Sequence, residues 1–224
     1  MRCWLLLLLC WYSLSLCAQG ELRISHQYTQ RDGLGHPSIY VLYEDSRGFL
    51  WMATGEGLNR FDGHQFKTYY HTKYDTNSLA HNTVNDIREY QPGFLLIATA
   101  NGLSVFNSVL GRFENERIHH DALAPGKGAN VTSLFIHSED EIWINQNGEL
   151  DILDRSLNFK YRFTDLPWAR SMKGSVVRFE AWQVDNEGRI WLPTDTSGLQ
   201  VIDLKKEVVY NRHYNPHHWS LLDF

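Results

Sequence analysis

The side chains best suited to chemistry in this sequence are its histidines. His119-His120 and His217-His218 stand as adjacent pairs, with His213 close to the second. Imidazoles are common metal ligands, but adjacent side chains on a strand point to opposite faces. No cysteine or carboxylate falls at ligand spacing beside them, so they read as surface histidines, and no metal and no other cofactor is expected. The Asp-Gly pairs, such as Asp62-Gly63, have the composition of a calcium loop, yet Asp-Gly is first of all turn chemistry. Asn130-Val131-Thr132 fits a glycosylation acceptor and reads as coincidence. No catalytic residue emerges from this survey.

The elements that would position any site are set by an internal repeat. Four segments align, at 33–71, 79–119, 129–164 and 173–214, on the anchors Trp51, Leu96, Trp143 and Trp191, spaced 45, 47 and 48 residues apart. Three residues before each anchor stand Gly48, Gly93, Asp140 and Gly188; after it come a second turn and Leu58, Leu103, Leu150 and Leu199. Within the first copy, Ile39 to Tyr43 alternates as an inner strand, Asp45-Ser46-Arg47-Gly48 reverses the chain, and Phe49 to Thr54, Leu58 to Asp62 and Phe66 to Tyr70 supply three more strands. No segment holds a helical period. A period of about 45 residues with four strands is one propeller blade, so the expected fold is all-β, with four four-stranded antiparallel blades. The anchor tryptophans should fill the wedges between blades.

That frame yields a candidate ligand surface. Ten residues before the turn position, Ser38, Thr83, Asn130 and Arg178 begin successive inner strands, on one face of the disc and near its axis. Polar groups converging there beside an aromatic such as Trp182 would suit sugar hydroxyls and a ring face. A solvated channel rim is the plainer reading of each residue taken singly.

The flanks carry further expectations. Arg2 followed by Trp4 to Leu9, and on to Ala18 and Gly20, reads as a signal peptide over 1–20, too short and too interrupted by Ser13 and Ser15 for a spanning helix. All three cysteines, Cys3, Cys10 and Cys17, fall inside it, so the mature chain would hold no disulfide. No later stretch is apolar enough to span a membrane, and a net charge of −5 offers no footprint for nucleic acid. Residues 21–32 are expected as a leading outer strand, and 215–224 as the start of a further blade, because Tyr214-Asn215-Pro216 to Ser220-Leu221 parallels Tyr74 to Ser78-Leu79. Both suggest an incomplete propeller, with seven blades in the whole ring.

Asp45 to Asp62 resembles the two-component regulator propeller repeat, whose pattern is close to D-x-x-G-x-[LI]-W-[IV]-[GA]-T-x-x-G-L-x-x-[FY]-[DN]. Pro92 to Asn107 follows it with Leu96 for Trp, and Asp185 to Asp203 with one extra residue; the third copy is the poorest, with Asp140 and Glu149 in place of both glycines. The resemblance implies the periplasmic sensor region of a Bacteroidetes-type hybrid histidine kinase set in the inner membrane. It also implies an oligosaccharide as ligand and the rest of the receptor propeller as partner. Such a segment lacks the kinase and is not itself an enzyme. The alternative is a secreted propeller enzyme similar to the streptogramin lyases, which would need a histidine base and a glutamate at the axial face; in that register the sequence shows His36 and Glu180.

Overall fold

The computed structural model describes residues 27–172, 182–194 and 198–222. Among these residues, sixteen strands form four separate antiparallel sheets, each ordered as a simple meander from its first strand to its fourth. Blade 1 consists of β1 (Ile39–Glu44), β2 (Leu50–Thr54), β3 (Gly57–Phe61) and β4 (Phe66–Tyr69). Blade 2 consists of β5 (Val84–Gln91), β6 (Phe94–Thr99), β7 (Gly102–Asn107) and β8 (Arg112–Phe113). Blade 3 has β9 (Val131–Ile136), β10 (Ile142–Gln146), β11 (Glu149–Leu153) and β12 (Phe159–Arg162), and blade 4 has β13 (Gln183–Val184), β14 (Ile190–Thr194), β15 (Gly198–Asp203) and β16 (Val208–Tyr210). The first strands are innermost, since β5 packs beside both β1 and β9. This is the all-β, four-bladed propeller arc that the repeat predicts.

Strand alternation gives every blade two apolar faces. Trp51, Ala53 and Leu58 on the forward face of blade 1 meet Ile87, Leu95, Ile97 and Phe106 on the back of blade 2. Leu96, Leu103 and Val105 then meet Leu134, Ile142 and Ile144 of blade 3. Trp143 and Ile152 meet Ile190, Leu192 and Ile202 of blade 4. Each wedge is closed by residues of the connector between blades, among them Leu79, Leu123 and Met172, all buried.

The series continues beyond the three closed wedges at both ends. Leu34 packs on the back of blade 1 with Met52 and Phe61, and Leu222 packs on the front of blade 4 with Val201 and Tyr210. Neither wedge has a second blade among the described residues, and the burial shows it. Trp51, Leu96 and Trp143 are fully buried, while Trp191 is only partly so. Leu42 is 62% exposed, although Ile87 and Leu134, in the same place on the next two blades, are buried.

Both flanks are described only in part. In the leading segment, Gln30–Asp32 is a 3-10 turn and not strand, because Thr29 and Asp32 close a capping box around it and Gly33 ends it at φ 101°. Residues 21–26 of that segment and the leader at 1–20 lie outside the described residues. In 215–224, no inner strand begins among the described residues: an Asn211–Tyr214 bridge leads through a turn to a 3-10 turn at Ser220–Leu222. Leu222, and not Leu221, takes the place of Leu79, since Leu221 is 62% exposed. No helix among the described residues is long and apolar enough to cross a membrane.

Candidate functional site

The rim around the starts of the inner strands is built from turns that speak to one another across blades. Ser38 donates its backbone N–H to His36 Nδ1 at 3.1 Å, and Thr83 does the same to His81 Nδ1 at 3.0 Å. His36-Pro37-Ser38 and His81-Asn82-Thr83 are therefore one device used twice, 45 residues apart. The turn between the second and third strands of one blade is then tied to the next connector. Gly57 N–H donates to Asn82 O at 2.6 Å, and Gly102 N–H to Ala129 O at 2.7 Å.

The predicted site residues divide. Ser38 is exposed at the rim of blade 1. Thr83 lies across the first wedge from it, its hydroxyl 3.4 Å from Gly55 O and its carbonyl accepting Ala100 N–H at 3.1 Å. Asn130 is exposed but engaged: its carbonyl accepts Asn147 N–H at 3.0 Å, and its Oδ1 accepts Asn85 Nδ2 at 3.2 Å. Arg178 lies outside the described residues. Trp182 is not a rim aromatic. It packs in the wedge between blades 3 and 4, its ring 4.5 Å from Phe135 and 5.7 Å from Trp143. Its position one residue before the Gln183–Trp191 pair sets it in the strand's core-facing register.

What the sequence reading missed are the residues at three β-bulges. The ladder skips a residue in β1 between Ile39 and Val41, in β5 between Val84 and Asp86, and in β9 between Val131 and Ser133. The extra residues are Tyr40, Asn85 and Thr132. A bulge is invisible to counting by twos, so no signal short of the ladder itself would have found it. His81 was missed for a different reason: its match to His36 was legible at a spacing of 45.

Electrostatics at the rim are sparse. Asp86 is buried just behind it, where Oδ2 accepts Leu134 N–H of blade 3 at 2.9 Å and Arg88 pairs with Oδ1 at 3.0 Å. This carboxylate is part of the inter-blade framework. Among the histidines first considered, His120 lies 3.9 Å from Asp151 and edge-on to Phe159, and His217 stacks on Trp219. No group of three or more metal-ligating side chains occurs among the described residues. Asp62 spends Oδ1 on the backbone N–H groups of His64 and Gln65, at 2.9 and 2.8 Å, which hold its carboxyl below the ordinary range. It is a turn residue.

The family model of the two-component regulator propeller matches residues 33–56. A histidine kinase, Histidine kinase P4 of Formosa agariphila, is 38% identical over 68 residues, which are 30% of this chain and 5% of that kinase. Among solved structures, the extracellular domain of the hybrid two component system BT3049 from B. thetaiotaomicron is similar at TM-score 0.65 and 22% identity, over 83% of this chain and 26% of that one. The extracellular domain of BT4673 from the same organism follows at TM-score 0.60 and 22% identity, over 85% and 26%. The chain thus spans about a quarter of these structures and a small part of the kinase, and the structural likeness shows a shared propeller fold. The two-component regulator propeller match thus lies in the first blade, and the same four-stranded meander is repeated in the three that follow.

Proposed function

We propose that these blades are part of the periplasmic input region of a two-component receptor, and that their axial rim reads an oligosaccharide. The observation that carries the reading is the two-component regulator repeat of blade 1, continued through a four-blade array. The stretch shared with a histidine kinase supports a place in such a receptor. The rim supports the ligand class: Ser38, Thr83, Asn85, Asn130 and Thr132 offer hydroxyl and amide groups, and Tyr40 a ring, with no formal charge among them.

Rim groups from different blades would touch one ligand together, so a bound state would favour one relative setting of the blades. Differential affinity of this kind is what shifts a receptor between states. We read the blades as non-enzymatic. His36 and His81, the rim histidines a lyase would recruit, each accept a backbone N–H at Nδ1 and so hold the strand starts in place.

The reading is tested in a reporter strain by deleting residues 33–214 from the encoded receptor. Oligosaccharide-dependent transcription should vanish, while purified protein leaves the sugar intact. Unchanged induction overturns the sensor reading, and turnover of the sugar or of a lactone favours the enzyme.

A further inference from the structure

The rim holds three side chains aimed by backbone irregularity. In β1, β5 and β9 the residue before the bulge faces backward: Val84 lies in the wedge between blades 1 and 2, and Val131 in that between blades 2 and 3. The bulged residue turns the other way. Asn85 donates Nδ2 to Val131 O at 2.7 Å and to Asn130 Oδ1 at 3.2 Å, both on blade 3. Tyr40 reaches over Gly55, where an added Cβ would stand 2.9 Å from its hydroxyl.

The backbone device is constant while the residue changes from ring to amide to hydroxyl. Core packing does not require this variety: Tyr40 is 52% exposed and Thr132 is exposed. A re-aimed, unpaired residue beside a site is a common use of a bulge.

We propose that Tyr40, Asn85 and Thr132 form the ligand-reading layer of the rim, with the Tyr40 ring as the stacking face for a neutral sugar. The proposal rests on the saccharide reading above and deepens it. The exposed ring offers an apolar face with a polar tip. Asn85, its amide nitrogen committed to blade 3, offers Oδ1 to a sugar hydroxyl, and Thr132 offers a hydroxyl that both donates and accepts. Gly55 is a positioning residue. Its backbone φ suits any residue, so Gly55→Ala would displace the tyrosine ring without straining the turn.

The test is calorimetric titration of the full chain with maltohexaose, laminarihexaose, xylohexaose, mannohexaose and an acidic chondroitin sulfate hexasaccharide. One neutral probe is expected to bind. Tyr40→Ala should weaken it by about tenfold or more, Tyr40→Phe by about twofold at most, and Gly55→Ala by about threefold at an unchanged melting temperature. If a neutral probe binds and neither Tyr40→Ala nor Gly55→Ala alters it, the bulge layer is overturned while the saccharide reading stands. Binding of the acidic probe alone overturns the assignment of a neutral sugar. Binding of none of the five overturns the saccharide reading, and the proposal with it.

Discussion

Asp45 accepts the indole N–H of Trp51 through Oδ2 at 2.8 Å, and its Oδ1 accepts the backbone N–H groups of Arg47 and Phe49 at 2.9 and 3.0 Å. Asp185 and Trp191 repeat the pair at 2.8 Å, with the same six-residue spacing. One carboxylate therefore ties the first turn of a blade to the residue that fills its wedge. Removing it leaves a buried indole N–H unpaired, which typically costs about 1–3 kcal/mol. Asp45→Ala is expected to lose about 2–3 kcal/mol in urea unfolding, and Asp45→Asn, which keeps an acceptor, about 1. An alanine variant as stable as the parent would show that the pair holds nothing.

Leu42 and Leu134 occupy equivalent places on the backs of blades 1 and 3, yet one is 62% exposed and the other 2%. The difference lies in the neighbour, since blade 2 covers Leu134 and no described blade covers Leu42. Leu42→Lys should change stability by no more than about 0.5 kcal/mol. It should also lower self-association of the isolated chain in light scattering, because it breaks an exposed apolar face. Leu134→Lys places a charge in a filled wedge and should unfold the chain. If both variants fold equally well, the assignment of open and closed wedges is wrong.

Gly102 sits at φ 104° with Ala124 O only 2.6 Å from where a Cβ would be. It also donates its N–H to Ala129 O, so the connector passes directly over it. Gly102→Ala therefore combines left-handed strain with a backbone clash and should cost about 2–4 kcal/mol. Gly63, at φ 93° with open space around it, should cost only about 1 on the same change. Equal losses in urea unfolding would remove the connector from the explanation.

These pairs show what a linear reading could and could not reach. The repeat, its anchor and its glycines were legible because each is a local requirement repeated at a fixed spacing. The third copy matches the repeat pattern most poorly, yet its departures are substitutions of mechanism. Asn147 and Gly148 have φ of 49° and 81°, a two-residue hairpin turn that needs no glycine at Glu149. His137 stands where Asp45 would be, and Glu141 accepts the Trp143 indole instead, at 3.2 Å. In the second copy Tyr90 replaces the aspartate where the Leu96 side chain has no N–H to satisfy. The rim was less legible. Its start residues were found by counting, but the bulges that aim Tyr40, Asn85 and Thr132 break that count, and Trp182 looked available only because its depth in the wedge depends on blade 3.

Asp185 also predicts how the arc responds to acid. Burial by itself pushes its carboxyl up, but the Trp191 indole N–H, the Arg189 guanidinium and the backbone N–H groups of Arg189 and Glu187 outweigh burial and hold it at about 2, against an ordinary 3.8. A carboxyl depressed in the folded state stabilises the fold fully above its unfolded pKa, and that stability is lost as pH falls through the folded one. The window is therefore from about 4 down to about 2, and the contribution is on the order of 2 kcal/mol. Asp185→Asn should be less stable than the parent at pH 7, and the gap should close as pH is lowered from 4 to 2. Paired urea titrations of parent and variant at pH 7, 4, 3 and 2 measure this. A gap that stays constant to pH 2 would mean that Asp185 acts through its shape and hydrogen bonds alone, with no share for its charge.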